Sequence, residues 1–178
     1  MSKGTFSPHR AASPSGMRME CNANGSLHRI DCEDITLNLF PGNEVEGGLA
    51  NIHLRVLGGD LREIPLLGPR SPALFAPEKR GLGSIGEWQG IVFHLRFVLA
   101  ESASAWFWHV ALENHGKHAL KLDLIHTQDL ALAHYGAIRL NEYYVSQYVD
   151  HEPLDHPAKG VAVASRQTSP WAGAIPGR

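Results

Sequence analysis

An all-β fold, specifically an antiparallel β-sandwich, is what this sequence predicts, and three observations carry the expectation. Residues 90–128 alternate apolar and polar side chains with the period of two that marks strands. Eighteen glycines and eleven prolines punctuate a chain of 178 residues that is 43% hydrophobic, so a genuine core is interrupted by many turns. An Asn24-Gly25 pair lies between two strand-like runs, where it signals a tight hairpin. At this length one domain is expected.

Taken in order, residues 1–16 mix serine, proline and glycine around one large apolar side chain, Phe6, and are expected to form a flexible leader. Structure is expected from Met17. A two-residue type I′ turn at Asn24-Gly25 fixes a register in which opposed residue numbers sum to 49, pairing Glu20 with Arg29 and Arg18 with Asp31 on one face. The other face opposes Met17 to Cys32, Met19 to Ile30 and Cys21 to His28, each cross-strand pair being worth roughly 0.2–1 kcal/mol. Cys21 and Cys32 are therefore out of register with each other and expected as free thiols.

Ile35, Leu37 and Leu39 alternate and should end at Pro41-Gly42, before a glycine-bearing acidic loop at 43–48. No P-loop Lys-Ser/Thr follows those glycines, so they do not form a phosphate cradle. A strand is expected at 49–56, with Ala50, Ile52, Leu54 and Val56 buried. The stretch 58–90, with prolines at 65, 69, 72 and 77, reads as turn-rich chain wrapped over a sheet edge. Strands at 91–99, 105–114 and 120–128 then form an antiparallel meander. Its apolar face carries Ile91, Phe93, Leu95, Phe97, Leu99, Trp106, Trp108, Val110, Leu112, Leu120, Leu122 and Leu124, and must be covered by another layer. The opposite face is mixed, with Phe107 and Ala111 among His109 and Glu113. Residues 131–141 suit a helical turn or two, and a strand at 143–151 should pair with 160–166 across a long loop at 152–159. In that strand Tyr144, Ser146, Tyr148 and Asp150 would share a face.

A net charge of −2 with no basic run argues against nucleic acid. No apolar run approaches the roughly 20 residues needed to cross a bilayer and no signal peptide opens the chain, so no membrane role and a cytoplasmic location are expected. Eleven histidines invite a metal, but no His-x-His, His-Glu-x-x-His or Cys-x-x-Cys is present. His109, His115 and His118 straddle a turn, and Asp150-His151 and Asp155-His156 lie in or beside a loop, so no converging ligand set is expected. Two carboxylate pairs, Glu44 with Glu46 and Asp123 with Asp129, are the candidates for acid–base chemistry. No nucleophile signature accompanies them. Tyr143, Tyr144, Tyr148, Trp106 and Trp108 could stack on sugar rings, although packing is the commoner use of such side chains.

The segment ITLNLFPGNEVEGGLANIHLR at 35–55 resembles the N-terminal region of the cellobiose phosphorylase-type inverting glycoside phosphorylases. The nearest branch is that of the 1,2-β-oligoglucan phosphorylases and the related C-terminal part of cyclic β-1,2-glucan synthases. NGSLHRIDCEDI at 24–35, LLGPRSP at 66–72, NEYYVSQYVDHEPLDH at 141–156 and ASRQ at 164–167 continue the resemblance in order. It implies a galactose-mutarotase-like β-supersandwich, normally followed by a helical linker and an (α/α)6 barrel. That barrel holds the acidic catalytic residue and most of the phosphate site, so no catalytic, metal, cofactor or phosphate residue is carried onto this chain. β-Glucan oligosaccharide or inorganic phosphate would be partners only through that barrel.

The family pattern is lost after Gln167. The expectation is thus an incomplete supersandwich over 17–167 with an irregular tail at 168–178: a fragment, a pseudogene product or a subunit. Such a chain should be inactive alone and prone to self-association through exposed sheet. A stand-alone sugar-binding module, or a mutarotase-like epimerase using a His and a carboxylate, are the alternatives.

Overall fold

A computed structural model of the chain describes residues 8–157 and 160–169. Fourteen strands and two short helices are formed among them, in the order β1 (His9–Ala12), β2 (Met17–Cys21), β3 (Leu27–Cys32), β4 (Ile35–Thr36), β5 (Asn51–Leu57), β6 (Arg62–Pro65), β7 (Leu74–Glu78), β8 (Gly81–Trp88), β9 (Ile91–Leu99), β10 (Trp106–Asn114), β11 (Lys121–Thr127), β12 (Ala133–His134), α1 (Tyr135–Leu140), α2 (Glu142–Ser146), β13 (Val149–His156) and β14 (Gly160–Gln167). The strand pairs among them are antiparallel.

One layer is the four-stranded sheet β10-β9-β8-β7, and against it lie a five-stranded sheet, β1-β2-β3-β4-β12, and a three-stranded sheet, β11-β5-β6. Period-two alternation puts Ile91, Phe93, Leu95, Phe97 and Leu99 on the inner face of β9, none more than 2% exposed. The C-terminal half of β9, with Phe97 and Leu99, packs on Met17, Met19, Cys21, Leu27 and Ile30 of the five-stranded sheet. The N-terminal half, with Ile91, Phe93 and Leu95, packs on Ile52, Leu54, Val56, Leu66 and Leu67. Trp108 touches both clusters, its ring meeting Phe97 edge-on at 4.8 Å and 71°. Each fully buried side chain of this kind contributes about 1.5–3 kcal/mol. The outer face of the sheet is mixed, with Phe107 and Ile85 half-exposed and Arg96 donating to both carboxylate oxygens of Glu78.

The opening hairpin keeps its expected register for four pairs, from Met17 opposite Cys32 to Glu20 opposite Arg29, and then a bulge sets Cys21 against Leu27 rather than His28. The cause lies in the turn. Gly25 N–H donates to Asn22 O, Asn22 N–H to Ser26 O, and Gly25 alone has positive φ, at +77°. This is a longer connection with a left-handed glycine, whose odd length demands a bulge. The Phe75 ring lies over that glycine, where a Cβ would sit 2.3 Å from the ring. Opposed charges do not simply pair across the hairpin: Glu20 takes Arg10 at 3.1 Å, and Asp31 receives Arg29 at 2.5 Å and Arg18 at 3.9 Å. Cys21 and Cys32 are free, and burial pushes the Cys21 thiol up to about 12.

Several expectations are overturned. The third strand of the meander does not join β10: β11 crosses to the other layer and pairs with β5, Leu124 opposite Leu54 and Asp123 opposite Arg55. Leu120 and Leu124 are consequently exposed. Residues 58–90 are not mainly turns, since β8 lies inside its sheet and β7 forms the edge. The glycines that read as turns there serve close approach. A Cβ on Gly81 would fall 1.8 Å from Phe97 O, and one on Gly86 2.4 Å from the Phe93 ring.

Residues 143–151 begin as helix α2, because the Asn141 side chain accepts the Tyr144 N–H at 3.0 Å and caps it. Tyr144, Ser146, Tyr148 and Asp150 therefore share no strand face. The strand starts at Val149 and runs through most of the expected loop to His156, opposite β14. The strand at Ile35 stops at Thr36, where the Asn38 amide replaces the ladder by accepting Ile30 N–H and donating to His28 O and Phe40 O. Residues 9–12, expected within a leader, form edge strand β1 on β2. The rest of that leader up to residue 7, and residues 170–178 of the expected tail, lie outside the described residues.

The inward placement of Trp108 sets a test. Trp108→Ala should lower stability by about 3–5 kcal/mol, whereas Phe107→Ala, one residue away on the outer face, should cost less than about 1 kcal/mol. Urea denaturation followed by circular dichroism reads both.

Candidate functional site

The residues singled out from the sequence are not brought together. His109 lies on the exposed face of β10, His115 bonds Glu113 at 3.2 Å, and His151 bonds Ser165 at 2.8 Å. Among the described residues no three His, Cys, Asp or Glu side chains are grouped to hold a metal ion. Tyr144 and Tyr148 meet with tilted rings at 4.8 Å and 53°, Tyr143 is 72% exposed, and Trp106 and Trp108 face the core. They make no shared sugar platform.

The carboxylates mostly hold structure. Asp123 accepts from Arg55 Nε at 2.7 Å and Nη2 at 2.5 Å, and this guanidinium keeps its carboxyl below the usual carboxylate range. Oδ2 of Asp129 accepts the backbone N–H groups of Leu39, at 2.8 Å, and Phe40, at 2.6 Å. Glu44 contributes its backbone oxygen to the Asn24 amide. Glu46 accepts from the Asn43 amide at 3.1 Å.

Glu46 and Asp129 nonetheless border a groove of about 430 Å³ on the outer side of the three-stranded sheet. Four segments build it. The first is the loop at 43–48, where Asn43 Oδ1 accepts the N–H groups of Val45 at 2.9 Å and Glu46 at 2.8 Å. Asn43 and Gly47 close the loop with a pair of backbone bonds. The second is β5, whose alternation turns His53 outward while Ile52 and Leu54 are buried.

The third segment is the turn Gly68-Pro-Arg-Ser71. Ser71 N–H donates to Gly68 O at 3.0 Å and Ser71 Oγ to Leu66 O at 2.8 Å, which holds Arg70 at the tip. The fourth is the end of β11, where Thr127 Oγ1 donates to Leu49 O at 2.6 Å. Asn51 ties the floor, donating to Leu67 O at 3.1 Å and accepting Ile52 N–H and Leu67 N–H.

Leu49 and Pro69 supply apolar surface to this groove, and Glu46, His53 and Arg70 supply polar groups. Nδ1 of His53 is held by Glu63 Oε1 at 2.8 Å, which orients the ring and leaves Nε2 as its second polar atom. His53 and Arg70 were not candidates in the sequence, since a site assembled from four distant segments has no spacing signature. The Asn43 loop and the Gly-Pro-Arg turn carry the only local signals, as turn chemistry.

Removing the shared acceptor at the groove wall should be costly. Asp129→Ala should destabilise by about 1–3 kcal/mol, leaving two backbone donors unpaired, while Asp129→Asn, which retains an acceptor oxygen, should recover most of that loss. Chemical denaturation of the two variants measures the difference.

The match to the SOGP N-terminal domain spans residues 20–177. The chain is also 33% identical, over 150 residues and 83% of its length, to the 1,2-beta-oligoglucan phosphorylase of Listeria innocua serovar 6a (strain ATCC BAA-680 / CLIP 11262). It spans 13% of that protein's length. Three of the groove's walls, at 46–49, 51–53 and 67–70, fall inside the segments that carry the family resemblance. The chain therefore belongs to the SOGP N-terminal domain family.

Proposed function

We propose that this chain is the carbohydrate-recognising, non-catalytic sandwich of a glycoside phosphorylase, and that bond cleavage belongs to polypeptide outside it. One observation carries the reading: three of the four carboxylates singled out for acid–base work have at least one oxygen committed to holding the fold. Asp123 is clamped by Arg55, Asp129 caps the turn at 39–40, and Glu46 anchors its own loop. Inverting cleavage of a glycosidic bond needs a carboxylic acid free to protonate the leaving oxygen. Kinship to a phosphorylase of 1,2-β-oligoglucans supports a glucan as the ligand.

A second reading rests on His53 of the groove, held by Glu63. An imidazole oriented by a carboxylate is the equipment of a general acid–base catalyst, suited to interconverting the anomers of a free sugar.

Incubated with a 1,2-β-oligoglucan and inorganic phosphate, the isolated chain should consume no phosphate, yet bind the oligoglucan by calorimetry. Phosphate consumption would refute the non-catalytic reading. Polarimetry on fresh α-glucose separates the second reading: anomer equilibration accelerated by the chain and lost in His53→Gln would replace binding with epimerisation.

A further inference from the structure

We infer that the groove bordered by Glu46, His53 and Arg70 is a pyranose subsite, which anchors a stretch of β-glucan on the sandwich. The inference rests on the carbohydrate-recognising function proposed above and assigns that function to particular residues.

The chemistry of the groove decides the ligand class. Arg70 lies at the tip of a braced turn and has no hydrogen bond or ion pair to any described residue. Glu46 uses Oε2 to accept from Asn43, which leaves Oε1 for a ligand. His53 is fixed through Nδ1 and keeps Nε2. A guanidinium offers paired donors, a carboxylate paired acceptors, and together they suit adjacent hydroxyl groups, each of which donates and accepts.

The single cation is balanced by the carboxylate of Glu46, and Asp129 adds a further acid to the lining. The field in the groove is therefore not that of a phosphate site, and a lone guanidinium facing carboxylates is no metal site either. Leu49, 55% exposed, and the exposed Pro69 give the apolar surface on which the C–H face of a sugar ring rests. A volume of about 430 Å³ lies within the range of small-ligand clefts.

The walls are also preorganised. The Asn43 loop, the Asn51 brace and the Ser71 turn are closed by hydrogen bonds that exist without ligand, so little ordering cost attaches to binding.

Calorimetric titration of the chain with a linear 1,2-β-oligoglucan, with inorganic phosphate as a separate probe, tests the assignment. Arg70→Ala and Glu46→Gln are the variants: both side chains are exposed, and glutamine retains an acceptor for Asn43. Each should weaken oligoglucan binding by about tenfold or more with an unchanged circular dichroism spectrum and melting curve, and phosphate alone should not bind.

Unchanged oligoglucan affinity in both variants would overturn the subsite while leaving the carbohydrate-recognising function intact. No oligoglucan binding by the unaltered chain at millimolar concentrations would overturn both. Phosphate binding that is lost in Arg70→Ala, without sugar binding, would make the groove an anion site and overturn the assignment.

Discussion

The inner face of β9 is the constraint on which the rest of the structure depends. Its five buried side chains are divided between two clusters: Phe97 and Leu99 complete one, while Ile91, Phe93 and Leu95 complete the other. One strand therefore serves as the common wall for two sheets that are not hydrogen-bonded to each other. Trp108 on the neighbouring strand spans the seam from above. The two opposing sheets can form neither core without it, so they are coupled through packing even though no ladder joins them.

That arrangement also explains the groove's location. The chain passes from the five-stranded to the three-stranded sheet through residues 37–50, and returns beside it at 66–71. The backbone there cannot use ladder partners, so side-chain amides replace them. Asn38, Asn43 and Asn51 each bond to several backbone groups. Connecting segments held this way become rigid walls. Arg55 and Arg96 are committed to carboxylates on their own sheets, and Arg70, on a connector, is left facing solvent and groove.

What was legible in the sequence is what depends on neighbours along the chain. The alternation of β9, β10 and β5, the first hairpin register and the pairing of β13 with β14 follow from period and turn residues. What was not legible is choice of partner. Period two says that Leu122 and Leu124 share a face, but nothing in it distinguishes β10 from β5 as the neighbour, and the Arg55–Asp123 contact that goes with the actual choice joins residues 68 apart in sequence. β8 was missed because its glycines, chosen for close contact with Phe93 and the Phe97 backbone, look like turn residues. Helix α2 was missed because Tyr144, Ser146 and Tyr148 also fit the alternation of a strand, and the Asn141 cap that starts it was not read. The groove was invisible for the partner-choice reason: its walls meet only after β11 has crossed between layers.

The hairpin β13–β14 stands apart from both cores. Glu152 through His156 on one strand and Gly160 through Ala164 on the other are exposed, including Val161 at 71% and Val163 at 64%. A two-stranded ribbon without a packed face is marginal in water, so its opening is governed by a free energy far below that of the whole domain. Hydrogen exchange would therefore divide the chain into two populations. Amides of residues 152–156 and 160–164 would trade protons by local fraying, while those of β9 would wait for global unfolding, giving the molecule two clocks rather than one.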